Sequence, residues 1–91
     1  MSTTVRIPTQ LRSLSAGASE VEVEGDDVGA ALKALDAKHP GFAGRLFDDD
    51  GNLRRFVNVF VADEDVRFLQ GLATPLTAGQ VVSIIPAVAG G

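Results

Sequence analysis

With 91 residues, 45% of them hydrophobic, the chain has room for one small domain with a single core, which excludes an intrinsically disordered protein. Its formal charge of −4 argues against binding to the phosphate backbone of nucleic acids. It has no cysteine, and therefore no disulfide, thiolate nucleophile or cysteine-ligated metal site. No signal peptide is visible, and no apolar run approaches the roughly 20 residues that span a bilayer, so we expect a cytoplasmic protein without a membrane partner.

The first two elements are predicted to be strands. Residues 3–7 alternate, with Val5 and Ile7 on one side of the chain. Residues 20–24 read Glu-Val-Glu-Val-Glu, which is typical of a strand with one buried face and one solvated face. The two strands are expected to pair as a hairpin.

A helix is predicted to follow. Asp26 is a natural N-cap, and an apolar stripe with helical spacing begins at Val28 and reaches Leu35. Pro40 makes continuation past His39 unfavourable. A short helical turn is expected over residues 42–47.

The second half of the chain predicts further strands. Residues 48–52 read as a plain turn, because the spacing of an EF-hand calcium loop is not met. Residues 55–61 form the next strand, with its valines on one face. Residues 66–69 are compatible with a short strand, and residues 80–85 form the last one.

This order of elements predicts an α+β fold with a mixed sheet of four to five strands and one main helix packed across one face. The rule of right-handed crossovers places the last strand beside the first one, as its parallel neighbour in the centre of the sheet. That is the β-grasp arrangement. It divides the chain into a domain over residues 1–86 and a flexible tail over residues 87–91.

The tail itself has an unusual composition. Pro86 lacks an N–H group and is expected at the end of the strand or at its edge. The residues after it carry no charge, no hydroxyl group and no large side chain; they are Ala87, Val88, Ala89, Gly90 and Gly91. Glycines without a Cβ can enter a narrow channel of a partner enzyme, which would then reach the Gly91 carboxylate. Adenylation with ATP would convert this carboxylate to an acyl donor that a sulfur nucleophile can attack. The alternative interpretation of Gly90 and Gly91 is a frayed chain end without function.

The sequence shows no catalytic residues of its own. His39 is the only histidine and follows the predicted helix directly before Pro40, where a structural role is the simpler interpretation. Walker A, dinucleotide-binding and metal-ligand spacings are absent from the sequence. We therefore expect neither a catalytic site nor a metal site.

Four stretches resemble a known family: residues 56–59 (Phe-Val-Asn-Val), 63–68 (Asp-Glu-Asp-Val-Arg-Phe), 71–74 (Gly-Leu-Ala-Thr) and 86–91 (Pro-Ala-Val-Ala-Gly-Gly). Together with the order of the elements, they make the chain similar to the ubiquitin-like sulfur-carrier proteins that end in Gly-Gly. The likeness is greatest to the actinobacterial carrier of cysteine biosynthesis. The chain is also similar to the small subunit of molybdopterin synthase and to the thiamin sulfur carrier.

The resemblance implies a role as a protein cosubstrate without a bound cofactor. An adenylating enzyme related to ubiquitin-activating enzymes would use ATP to activate Gly91, which then becomes a thiocarboxylate. In the cysteine branch, the partners would be a pyridoxal-phosphate cysteine synthase and a zinc peptidase. In the molybdopterin branch, the partner would be the large synthase subunit. Sulfur insertion into a specialised metabolite remains a further possibility.

Alternatives from other classes stay open at this point. A protein modifier would pass the activated Gly91 to a lysine of another protein, and an inert β-grasp binding module would not use the tail. In the sulfur-carrier interpretation, Phe56, Phe60 and Ile85 lie opposite the core valines of their strands and form a candidate partner surface near the tail. The competing interpretation is that Phe56 or Phe60 packs beneath a loop.

Overall fold

The computed structural model describes residues 2–54, 57–77 and 79–86. The five strands are β1 (Ser2–Arg6), β2 (Glu20–Glu24), β3 (Val57–Val61), β4 (Glu64–Asp65) and β5 (Val81–Pro86). The two α-helices are α1 (Val28–Lys38) and α2 (Phe42–Leu46), and short 3₁₀ turns cover Thr9–Leu11, Val66–Phe68 and Gly71–Ala73.

All five strands form one sheet in the order β2-β1-β5-β3-β4. β1 and β5 run parallel, whereas the pairs β1–β2, β3–β5 and β3–β4 are antiparallel. The last strand therefore lies in the centre beside the first one, which confirms the topology that the crossover rule predicted. The sheet is mixed and five-stranded, as the β-grasp arrangement requires.

The core lies between one face of the sheet and the two helices. The residues that alternation assigned to this face are buried in every long strand, and the predicted stripe of α1 is fully buried against them. Fully buried members of the core are Val5, Val28, Ala31, Leu32, Leu35, Phe42, Leu46, Val59, Val66 and Val82. Hydrophobic periodicity of 2 and 3.6 residues thus fixes which way each element faces.

The start of α1 differs by one residue from the prediction. The N-cap is Asp27, whose Oδ1 accepts a hydrogen bond from the backbone N–H of Ala30 at 2.7 Å. Asp26 does not cap the helix; its backbone carbonyl accepts a hydrogen bond from the N–H of Leu76 at 2.9 Å. This contact ties the segment before β5 to the start of α1.

The predicted strand over residues 66–69 is wrong. The chain reverses at Ala62 and Asp63, whose φ angles of 51° and 71° are those of a tight two-residue hairpin turn, so the short strand β4 lies at Glu64–Asp65. The Asp65 carboxylate then accepts a hydrogen bond from the N–H of Arg67 at 2.8 Å and starts a 3₁₀ turn at Val66. A side chain that bonds the backbone two residues on competes with a strand, which is the physical reason for the error.

Among the described helices, none combines the length and the apolar character required to cross a membrane.

Candidate functional site

The candidate site is built around β5, the strand that leads into the predicted tail. On one side β5 pairs with β1, with Thr4 opposite Val81 and Arg6 opposite Ser83. On the other side it pairs with β3. Pairing on both sides places β5 in the interior of the sheet, so both neighbouring strands must separate from it before it is released.

Pro86 is the last residue of β5 and lies opposite Val57 of β3. It stands at the end of the strand, as predicted for a residue that cannot donate a ladder hydrogen bond. Residues 87–91, which include the predicted reactive Gly91, lie outside the described residues. The roles of Ala87, Val88, Ala89, Gly90 and Gly91, and the division of the chain at residue 86, therefore stay predictions.

Two of the three predicted partner-surface residues share the outer face of the sheet, away from the helices. Phe60 lies opposite Ser83, and Ile85 is two residues further along β5, so the two side chains are diagonal neighbours on adjacent strands. Phe60 is half-buried, and Ile85 is 49% exposed although it is large and apolar. Phe56 lies outside the described residues. We call Phe60 and Ile85 the outer apolar pair.

A shallow groove of about 470 Å³ adjoins the outer apolar pair where β1 ends and β5 continues. Ile85 contributes to its wall, and Arg6 and Arg12 line it from the β1 side. Arg12 donates from Nε to the carbonyl of Ile7 at 3.1 Å, and Arg6 lies 3.3 Å from the carboxylate of Glu20. The end of β5 therefore combines exposed apolar surface with two guanidinium groups in a chain whose overall charge is negative. An apolar partner surface with an acidic rim is complementary to this arrangement.

Sequence reasoning missed the surface after β4. Phe68 is 86% exposed, the largest exposure of any large apolar side chain in the described residues. The preceding Arg67 donates to Asn58 Oδ1 at 2.8 Å, to the carbonyl of Val57 at 2.8 Å and to that of Arg54 at 2.9 Å. Asn58 lies on β3, the strand that carries Phe60, and faces Ile85, so Arg67 joins this segment to the strand pair that carries the outer apolar pair. The sequence signal for this 3₁₀ turn is Asp65, an aspartate two residues before Arg67 and directly after the hairpin turn, where its side chain can accept from the Arg67 N–H.

The acidic turn at residues 48–52 is a hydrogen-bonded turn, as predicted. Asp48 Oδ1 accepts from the N–H groups of Asp50 and Asn52 at 2.9 and 3.0 Å. Within the described ranges, no group of three histidine, aspartate or glutamate side chains is placed to hold a metal ion.

Comparison with known proteins now adds to this geometry. The sequence matches the ThiS family over residues 5–91. The chain belongs to the ThiS family. The match covers all the strands of the sheet from Val5 of β1 onward, and also the predicted tail.

Individual relatives of this ThiS-family chain are similar over 70–100% of its length. The sulfur carrier protein CysO of Mycobacterium tuberculosis is 50% identical over 93 residues, and the alignment covers the whole of both chains. The crystal structure of the BexX/CysO complex of Amycolatopsis orientalis contains a chain with a TM-score of 0.92 and 43% identity, covering 98% of this chain and 99% of that one. Small archaeal modifier protein 3 of Haloferax volcanii is 45% identical over 64 residues, which are 70% of this chain and 68% of the relative.

These matches confirm three predictions made from the sequence. The family of ubiquitin-like sulfur carriers is confirmed, and so is the β-grasp fold class. The resemblance to the carrier of cysteine synthesis is confirmed by the full-length match to CysO.

Proposed function

We propose that this chain is a sulfur carrier protein of cysteine biosynthesis and that Gly91 carries the sulfur. The observation that supports this most strongly is the 50% identity to a sulfur carrier protein over the whole of both chains. The chain acts as a cosubstrate, and partner enzymes supply the catalytic groups. No cofactor needs to be bound by the chain itself.

The proposed chemistry begins at the tail carboxylate. A carboxylate oxygen of Gly91 attacks the α-phosphorus of ATP on the adenylating enzyme, and pyrophosphate leaves. Hydrosulfide then attacks the acyl carbon, the bond to AMP breaks, and loss of the S–H proton leaves a thiocarboxylate at Gly91. On a pyridoxal-phosphate cysteine synthase, the sulfur then forms a C–S bond to the β-carbon derived from O-phosphoserine, from which phosphate has left. An S-to-N acyl shift links the new cysteine to Gly91 by an amide bond, and a zinc peptidase hydrolyses this amide, which releases cysteine and restores the Gly91 carboxylate. The small residues Ala87, Val88, Ala89 and Gly90 allow the tail to enter the narrow channels of these enzymes.

The geometry of β5 supports this proposal. A tail that must reach a distant reactive centre benefits from a fixed base, because a rigid base reduces the entropy lost on docking. β5 supplies that base, since it is paired on both sides. The outer apolar pair and the groove with Arg6 and Arg12 lie beside Pro86, the residue before the tail, which supports the proposal that they contact the enzyme that receives the tail.

A second candidate function is modification of other proteins. The similarity to small archaeal modifier protein 3 favours this class. The acyl adenylate of Gly91 would then be attacked by a lysine amine, which forms an isopeptide bond and releases AMP. Both functions require the same activation step and differ in the nucleophile that follows.

The test is an intact mass spectrum of the chain after incubation with ATP, a sulfide source and the adenylating enzyme of the same organism. We expect a mass gain equal to the difference between sulfur and oxygen, mapped to Gly91. A second incubation adds O-phosphoserine and its pyridoxal-phosphate enzyme, and a cysteinyl adduct is then expected.

Two variants serve as controls: one lacks Gly90 and Gly91, and the other carries one extra alanine after Gly91. Both keep residues 1–86 and are expected to show no mass change. Sulfur incorporation into either variant would overturn the assignment of Gly91. A thiocarboxylate without any cysteinyl adduct would move the chain to another sulfur pathway, and Gly91 linked to lysines would establish the modifier.

A further inference from the structure

Within residues 2–54, 57–77 and 79–86, no strand pairs with the outer edge of β2, and we call this the β2 edge. β2 is the terminal strand of the order β2-β1-β5-β3-β4. The N–H of Ile7 donates to the carbonyl of Ser19 at 2.8 Å, and these two residues continue the register in which Val5 lies opposite Val21. In an antiparallel pair, hydrogen-bonded and non-hydrogen-bonded positions alternate. Val21 and Val23 therefore bond to β1, whereas Glu20, Glu22 and Glu24 direct their N–H and C=O groups outward.

A hydrogen bond from α1 also shows that the backbone carbonyl of Glu22 points away from β1. Lys38 Nζ donates to the backbone carbonyl of Glu22 at 2.6 Å. Lys38 is exposed at the end of α1, so its ammonium group can leave this carbonyl for solvent at little cost.

The space beside this edge is shaped to receive side chains. A groove of about 440 Å³ lies between β2 and α1, and we call it the β2–α1 groove. Its apolar lining comes from Val23, Ala34 and Ala37. Apolar side chains at every second position of an added strand would point into it, on the same face as Val21 and Val23.

The charges at this edge select the kind of strand that fits. On the outer face, Glu20, Glu22 and Glu24 are all exposed; the Glu20 carboxylate lies 3.3 Å from Arg6, an exposed pair that a cationic partner side chain can share. A second copy of β2 would place glutamate opposite glutamate, which is unfavourable. A strand with lysine or arginine at these positions would instead form cross-strand ion pairs.

We infer that the β2 edge is a strand-addition site for an extended peptide segment in which basic and apolar residues alternate. The backbone of the segment bonds to Glu20, Glu22 and Glu24, its basic side chains face their carboxylates, and its apolar side chains enter the β2–α1 groove. β1 separates this edge from β5. A partner at the β2 edge and an enzyme at the tail can therefore be bound together, and the inference does not depend on the sulfur-carrier proposal.

The experiment uses the full ¹⁵N-labelled chain and a capped seven-residue peptide of alternating lysine and valine. On titration, we expect the largest amide shifts at Glu20, Glu22 and Glu24 and small shifts at Ile85. A peptide methylated on the backbone nitrogens that face β2 keeps its charge but lacks the donors, and we expect it to bind at least tenfold more weakly.

A matched pair of protein variants tests the groove. Ala37→Arg fills it with a bulky cation and is expected to weaken binding at least tenfold. Ala30→Arg makes the same change at an exposed position of α1 outside the groove lining and is expected to leave binding unchanged. Equal binding of the methylated peptide, equal effects of the two variants, or an absence of shifts at the β2 edge would overturn the inference. So would shifts at this edge that appear without peptide as the protein concentration rises, because they would indicate pairing with a second copy.

Discussion

Asp27 stabilises the first turn of α1 through one hydrogen bond from its side chain to the N–H of Ala30. The neighbouring Asp26 is exposed and contributes its backbone carbonyl, which any residue would supply. The two aspartates thus form a natural pair for measuring the side-chain cap separately from the local charge.

We expect Asp27→Ala to lower the free energy of unfolding by about 1 kcal/mol, since the first-turn N–H loses its partner. Asp26→Ala, the matched control, is expected to change it by less than about 0.5 kcal/mol. Urea denaturation of both variants measures the difference. If the two variants lose equal stability, the negative charge of this segment stabilises α1 and the hydrogen bond of Asp27 does not.

Arg67 is a second residue whose side chain holds separate segments together. Its guanidinium group contacts Asn58, Val57 and Arg54, which precede or begin β3. Charged donors make the stronger hydrogen bonds, but the exposure of Arg67 to solvent reduces their net contribution.

We therefore expect Arg67→Ala to lower the free energy of unfolding by about 1–2 kcal/mol. Arg67→Lys is expected to recover less than half of this loss, because an ammonium group cannot reproduce the planar fork of guanidinium. Arg45→Ala removes the same side chain from an exposed position of α2 and serves as the control. Full recovery with lysine would contradict the proposed geometry of the three contacts.

Among the elements, the junction between β2 and α1 depends on the close approach of the Gly25 backbone to the backbone of Ala31 in α1. A Cβ added to Gly25 would lie 2.6 Å from the backbone nitrogen of Ala31 and 2.9 Å from its Cα. Neither is the end of a flexible side chain, so the helix or the strand would have to move.

We expect Gly25→Ala to destabilise the fold by about 2 kcal/mol through this overlap. Gly44→Ala is the matched control, because a Cβ at Gly44 meets nothing within 4 Å and the position lies in α2. It is expected to stabilise the fold by about 0.5–1 kcal/mol, since glycine lowers helix stability. Thermal unfolding of both variants gives the comparison, and a neutral Gly25→Ala would show that the junction relaxes freely.

The sequence predicts elements well where one periodicity runs through the whole element. Alternation in β1, β2, β3 and β5 and the stripe of α1 gave the right element types and buried faces. The prediction from alternation failed at residues 66–69. The segment directly before them combines two left-handed non-glycine residues, Ala62 and Asp63, with a two-residue strand that ends in the capping Asp65. Each of these depends on neighbours that come together only in the folded chain.

In the candidate site, too, local sequence patterns predicted some features, whereas others depend on the folded chain. Placing Phe60 and Ile85 on one face required only alternation and the crossover rule, and the structure puts them on adjacent strands. The prediction missed the exposure of Phe68, because interpreting residues 66–69 as a strand overlooks the 3₁₀ turn that the Asp65 side chain starts. The groove with Arg6 and Arg12 depends on how far β5 extends beyond β1, which no local pattern specifies.

At the scale of the whole molecule, the outer face of the sheet changes character from one side to the other. Glutamates cover the β2 side, whereas the outer apolar pair lies on β3 and β5 beside the predicted tail. If the proposed function is correct, this separation predicts that a charge at Ile85 weakens binding of the enzyme that receives the tail without destabilising the fold.

We expect Ile85→Glu to weaken binding to the adenylating enzyme at least tenfold, because it places a charge on an apolar contact surface. Its free energy of unfolding should change by less than about 0.5 kcal/mol, since the side chain is half exposed. Leu69→Glu is the control, because Leu69 is also apolar and 40% exposed but lines a groove with Val61 and Gln80, at the opposite end of the β3–β5 pair. Calorimetric titration measures both, and equal weakening by the two variants would remove the outer apolar pair from the docking surface.

Strand order also predicts how stability is distributed over the molecule. Val82 and Ser83 lie in the stretch of β5 that is paired with both β1 and β3. Their amides can exchange with solvent only when the centre of the sheet opens, which in a small domain is close to global unfolding. The outward amide of Glu22 needs no such opening, although its neighbours Val21 and Val23 are bonded to β1.

Hydrogen exchange followed by NMR tests this gradient in one experiment. After correction for intrinsic rates, we expect Val82 and Ser83 to exchange on the order of a thousandfold more slowly than Glu22. Within β2, protection should alternate, with Val21 and Val23 slow and Glu22 fast. Uniform protection along β2 would mean that the edge amides already have partners, and a strand could then not add there. Alternating protection would instead leave the three outward positions open for the basic, extended segment that the charges of this edge favour.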